Sequence, residues 1–107
     1  MSALSAKAAS SAVELARKCV ELNPNVDDFQ DTLGFALIKD GKSSEALEPL
    51  QKAIVMTQKP GSMIHLAQAF IELKRPADAK EYLEKAKTKS PTAEQIAEIQ
   101  VLELKLN

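Results

Sequence analysis

Between Phe29 and Pro91 the chain states one pattern twice, and that repetition limits its fold more than any other feature. Leu33, Gly34 and Leu37 are followed by Ala46, Leu50 and Ala53; Leu66, Ala67 and Phe70 are followed by Ala79, Leu83 and Ala86, each residue 33 positions after its counterpart. Repetition at a fixed period of about 20 to 50 residues marks a stacked repeat protein, because one such unit is too small to bury its own apolar face.

Within each unit the apolar residues fall three or four apart, as from Leu33 to Leu37 or from Ala46 through Leu50 to Ala53, which is helical spacing with one buried stripe. Each unit is therefore two helices. Asp40-Gly41-Lys42 separates them in the first copy and Lys74-Arg75-Pro76 in the second. Gly41 suits the left-handed residue that closes a helix, and Pro76 suits the first position of the next, where a missing N–H costs nothing. Such tight turns force the paired helices to run antiparallel.

A Leu-Gly pair, a large apolar residue three later, then small, large and small residues at the spacing of Ala46, Leu50 and Ala53 resemble the tetratricopeptide repeat, a helix-turn-helix unit of about 34 residues. In that family small residues let paired helices approach closely and large ones fill the gap. Gly34, Ala46, Ala53, Ala67, Ala79 and Ala86 take the small positions, and Leu37, Leu50, Phe70 and Leu83 the large ones. Two departures stand out: Gln30 and Met63 replace the family's early Trp, and its late Pro, present at Pro91, is Gln58 in the first copy. The resemblance implies an all-α fold, a single α-α superhelix of about six antiparallel helices. Residues 1–24 would hold the second helix of a partial repeat, 27–59 and 60–91 two full repeats, and 92–107 a capping helix. Asp31-Thr-Leu-Gly34 further resembles bacterial members of the family associated with surface polysaccharide or pilus assembly. The partial repeat suggests a fragment of a longer repeat protein.

Composition agrees with this and narrows the function. Hydrophobic residues make up 45% of the chain but aromatics only 4%, which favours helices built on Ala and Leu over a β-sandwich. Lys and Arg number 14 against 15 Asp and Glu, so no global field draws the chain to nucleic acid or anionic lipid. No apolar run approaches the length that spans a bilayer. Cys19 is the only cysteine, so no intrachain disulfide forms and the compartment, cytoplasmic or periplasmic for a soluble chain, is left open.

The remaining segments follow from capping and periodicity. Ser11-Ala-Val-Glu14 reads as a capping box for the first helix, with the Ala-rich residues 3–10 able to extend it backward. Cys19 stands where the family has Ala and reads as a packing thiol. Asp27, Asp28 and Asp31 crowd the start of the next helix, where carboxylates complement the helix dipole and offer no calcium-loop spacing. Pro49 falls well inside a helix running from about Ser44 to Thr57 and should bend it. Gly61 or Ser62 should begin the following helix. Glu48 with Lys52, and Glu81 with Lys85, have the four-residue spacing of ion pairs on a solvated face. Ser90 and Pro91 read as N-cap and first turn of a last helix over about Thr92–Leu106. On that helix Ile96, Ile99, Leu102 and Leu106 form one stripe to cover the end of the stack. Ala97, Val101 and Leu104 form a second, suited to a further repeat or to a second copy of the chain.

No Gly-rich phosphate loop, Cys/His metal spacing or nucleophile elbow occurs, and His65 is the only histidine, which argues against an enzyme, a metal site or a cofactor. In the family, the first helices of the repeats line a concave groove that holds a peptide or helix of a partner protein. The resemblance carries that role to Asp28, Asp31, Phe35, Ile38 and Lys39 in one repeat and to Ile64, Gln68, Ile71 and Glu72 in the next. Phe35, Ile38, Ile64 and Ile71 then either form an apolar groove rimmed by acids or lie covered by neighbouring helices. The carboxylate clamp of chaperone-binding members is missing, since Asp31, Phe35 and His65 occupy its positions. The reading is a non-catalytic protein-interaction scaffold. Its alternatives are self-assembly into a homo-oligomer through the N-terminal half-repeat or the strip Ala97, Val101 and Leu104, or an accessory module of a larger bacterial assembly protein or enzyme.

Overall fold

A computed structural model describes residues 3–106; Met1, Ser2 and Asn107, which the sequence reading included in the domain, lie outside the described residues. Every element among the described residues is helical: α1 (Ala3–Leu22), α2 (Asp27–Lys39), α3 (Ser43–Thr57), α4 (Pro60–Glu72), α5 (Pro76–Lys87) and α6 (Ala93–Leu104). Successive helices pack on one another, and α2 with α4 and α4 with α6 make additional contacts. That pattern is a stack of hairpins in which α2, α4 and α6 form one layer.

The repeat is visible in the turns. Gly41, at φ +76°, and Lys74, at φ +62°, are 33 residues apart and both left-handed. In the first turn the N–H of Gly41 donates to Ile38 O (3.0 Å) and that of Lys42 to Leu37 O (2.8 Å). In the second, Lys74 N–H donates to Ile71 O (3.1 Å) and Arg75 N–H to Phe70 O (2.8 Å). These paired bonds are the Schellman closure, which satisfies the last carbonyls of a helix when the next residue turns left-handed.

Between the paired helices the core is built from the expected residues. Ala46, Leu50 and Ala53 on α3 and Ala79, Leu83 and Ala86 on α5 have no exposed surface. Gly34 is necessary at its place: a Cβ built there would overlap Leu50 Cγ and come within 2.6 Å of Leu50 Cδ2. Leu37, Leu66, Ala67 and Phe70 complete the seam, each at most 3% exposed.

Several local expectations are corrected. α1 is one continuous helix, so Ser11 lies inside it and caps nothing. α4 starts at Pro60, placed in its first turn after Lys59, ahead of Gly61 and Ser62. The last helix is capped by Thr92: its hydroxyl accepts from Gln95 N–H (3.1 Å), and Gln95 Oε1 accepts from Thr92 N–H (2.9 Å), a full capping box. Ser90, expected to cap, takes φ +53° instead. Glu48 and Lys52 form their ion pair at 3.0 Å. Lys85, expected to pair with Glu81, lies over the Tyr82 ring, 4.7 Å from its centroid.

Candidate functional site: the groove between α2, α4 and α6

The layer of α2, α4 and α6 encloses an open groove of about 410 Å³. α2 contributes Phe35 and Lys39, one turn apart, and α4 contributes Ile64, His65 and Gln68. The third wall is α6, with Ala97, Glu98, Val101, Leu102 and Lys105 along one side. Its floor is apolar, since Ile64 and Leu102 are buried beneath it while Val101 remains 54% exposed.

One wall is an ordered chain of side chains. Asp31 on α2 holds His65 on α4 through Nδ1, 3.0 Å from Oδ1 and 3.2 Å from Oδ2. The imidazole then stacks on Phe35, with centroids 4.5 Å apart and planes 27° from parallel. Lys39 closes the series, its Nζ 5.1 Å from the Phe35 centroid. A half-buried carboxylate is thereby satisfied, and the Phe35 ring is held by face contacts with His65 and Lys39.

Not all of the expected site residues meet here. Phe35, Lys39, Ile64 and Gln68 line the groove; Asp28, Asp31, Ile38, Ile71 and Glu72 do not. Ile38 is 6% exposed and Ile64 2% exposed, so both belong to the core, and Ile71 is half-buried against it. The covering helices envisaged as the alternative are real for these side chains. Of the acids expected at a groove rim, Asp28 pairs with Lys59 (3.4 Å) and Asp31 with His65, and neither lines this groove. Two lysines, Lys39 and Lys105, and Glu98 stand there instead. Ala97 and Val101, read as a strip for another repeat or copy, line the groove, whereas Leu104 is 73% exposed and outside it. Ile96, read as part of the buried stripe, is 45% exposed. Sequence reasoning missed Glu98 and Lys105, although their seven-residue spacing around Val101 sets Glu98 and Val101 on one face of α6 and Lys105, its C-cap, in line with them.

At the N-terminal turn of α2 a second polar cluster joins the hairpins. Lys59 Nζ lies 2.9 Å from Asp27 Oδ2, and the Thr57 hydroxyl donates to the same oxygen at 3.3 Å. The Lys59 contact holds the Asp27 carboxyl below the ordinary carboxylate range, and the two aspartates raise the Lys59 ammonium above the ordinary lysine value. No three His, Cys, Asp or Glu side chains among the described residues converge as metal ligands would.

Stacked helical hairpins with matching turns and an inner layer of first helices define a helical repeat protein. Residues 60–91, the α4–α5 hairpin, match the tetratricopeptide repeat family, and the chain carries a tetratricopeptide repeat. No curated protein matches the chain. No described helix is long and apolar enough to cross a membrane.

Proposed function

We propose that this chain is a non-catalytic protein-interaction module that holds a helix or peptide of a partner protein in the groove between α2, α4 and α6. In this reading residues 1–107 form one domain, with 27–59 and 60–91 as full repeats, 1–24 as a half-repeat and 92–107 as the cap. The observation that carries it is the pairing of a half-buried Phe35, braced by His65, with a half-exposed Val101 over the buried floor of Ile64 and Leu102. An aromatic anchor already ordered in the free protein lowers the entropy lost on binding. Lys39 and Lys105 outnumber Glu98 on the rim, so the fitting segment presents an apolar side chain next to an acidic one.

The test is affinity capture from the source cell with the native chain and with Phe35→Glu and Val101→Glu. A partner retained by the native chain and lost by both variants, at unchanged helicity, supports the groove. A partner set identical for all three proteins refutes it.

A further inference from the structure

One polar atom in the groove has its hydrogen-bonding role fixed by the residue beside it. His65 stands on α4, the middle helix of the layer, with α2 and α6 packed against that helix. Its Nδ1 lies 3.0 and 3.2 Å from the two oxygens of Asp31. A carboxylate only accepts hydrogen bonds, so the hydrogen between the two side chains is on Nδ1. In a neutral imidazole one nitrogen carries a hydrogen and the other a lone pair, which makes Nε2 an acceptor. That atom has no partner of its own: the hydrogen bonds of His65 go to Asp31 alone. Among the described residues no buried side-chain nitrogen or oxygen lacks a partner. Nε2 is therefore open to solvent, on a half-buried side chain that lines the groove. Stacking on Phe35 at 4.5 Å keeps the ring from turning away, so the lone pair is in place before a partner arrives.

The surface around Nε2 decides which donor suits it. Ile64 and Leu102 make a buried apolar floor and Val101 a half-exposed wall. A bare hydroxyl or ammonium brought over that surface gives up its water for a single bond. An aromatic side chain that carries its own donor covers the floor with its ring and keeps its polar end for the histidine. Tyrosine and tryptophan both qualify, but the phenol oxygen brings lone pairs that an apolar floor leaves unsatisfied, whereas the indole N–H is a donor only. An acceptor-only atom and a donor-only group match completely. The groove, at about 410 Å³, has room for an indole ring, and Lys39 and Lys105 at its rim suit an acidic residue next to it.

We propose that His65 is the specificity residue of the groove, its Nε2 accepting a hydrogen bond from a tryptophan indole of the partner segment, and that Asp31 is the positioning residue that keeps Nε2 free of a proton. This rests on the groove as a peptide site and names the apolar side chain it takes. Ring-nitrogen NMR shifts of the histidine-labelled chain at about pH 8, where an ordinary imidazole is neutral, are expected to show the hydrogen on Nδ1. Asp31→Asn, whose amide donates as well as accepts, is expected to move it toward Nε2.

The binding probes are acetyl-Trp-Glu-amide and the same peptide with naphthylalanine for tryptophan, a ring of similar shape without the N–H. The native chain is expected to bind the tryptophan peptide about fivefold more tightly, the size of effect one net hydrogen bond gives. His65→Phe, which keeps a ring to stack on Phe35, and Asp31→Asn are expected to bind the two peptides alike. A hydrogen on Nε2 in the native chain, equal binding of the two peptides by it, or a preference that survives His65→Phe overturns the proposal and leaves the groove standing. If neither peptide shifts the resonances of Phe35 and Val101, the peptide groove itself fails and the proposal with it.

Discussion

Gly34 on α2 lies directly against Leu50 on α3, so close that a methyl group on Gly34 would occupy the space of the Leu50 side chain. The corresponding pair in the second hairpin is Ala67 and Leu83, both wholly buried, so a Cβ is accommodated there and not at Gly34. Gly34→Ala is expected to destabilise the chain by about 1–3 kcal/mol through overpacking, despite the better helix propensity of alanine. Combining it with Leu50→Ala tests the cause. Removing the leucine alone costs about 2–5 kcal/mol, and the double variant is expected to lose clearly less than the two single losses added together. Denaturant melts of the four proteins give the coupling; strict additivity would mean that the contact is not what confines position 34.

Lys74 stands where Gly41 stands in the first turn, and its left-handed backbone has no glycine to make it easy. The two turns share the same closing bonds, so the conformation is imposed by the hairpin and not by the residue. Lys74→Gly is expected to stabilise the chain by about 1 kcal/mol, because a side chain in the left-handed region costs about 1–2 kcal/mol and glycine gives part of that back in unfolded-state entropy. Thermal unfolding measures it. Gly41→Lys is expected to move the midpoint the other way by a similar amount.

The comparison of these turns shows how far the sequence could be read. Periodicity revealed the hairpins because Leu33, Leu37, Ala46 and their counterparts answer to one local rule, burial of a helical stripe. Nothing at Lys74 signalled a positive φ, since lysine has no preference for the left-handed region. Groove residues were harder for a different reason. Position on a helix says which way Ile38 and Ile64 point, but only the third dimension says that they join a shared core with neighbouring helices. Phe35 escapes that burial, and Val101 arrives from a helix about 66 residues later, a juxtaposition without a local signature. Thr92 is the opposite case, because its Thr-Ala-Glu-Gln run is a legible capping box that Ser90 and Pro91 obscured.

The Asp27–Lys59 pair makes stability depend on pH at both ends of the range. Its lysine lowers the folded-state pKa of Asp27, so the aspartate's share of stability is present above the ordinary carboxylate value and is lost as pH falls below about 4 and through the depressed folded value. Lys59 has a raised folded-state pKa, so its share is present below the ordinary lysine value and is lost as pH rises through the elevated folded one. Asp27→Asn is expected to flatten the acid limb of a plot of melting temperature against pH. Because the pair is accessible to solvent, added salt should reduce the difference between native chain and variant. An acid limb of equal slope in both proteins would show that other carboxylates dominate.

Thr92 governs the third wall of the groove, because α6 packs only on α4 and α5 and has no following helix among the described residues to hold its outer side. Its N-terminus depends on the reciprocal bonds with Gln95, while further along Lys87 Nζ ties α5 to Glu103 at 2.7 Å, a contact that raises the lysine's pKa. Thr92→Ala removes the hydroxyl acceptor and is expected to cost about 1 kcal/mol, within the 0.5–2 kcal/mol typical of a lost cap. The loss should appear locally before it appears globally. Hydrogen exchange of α6 amides is expected to accelerate roughly fivefold, the equivalent of about 1 kcal/mol, while the amides of α3 and α4 change less. Thr92→Ser, which keeps the acceptor, should exchange like the native chain. If the alanine variant instead accelerates α3 and α6 alike, α6 opens only with the whole stack, and the wall that carries Val101 is as rigid as the core beneath it.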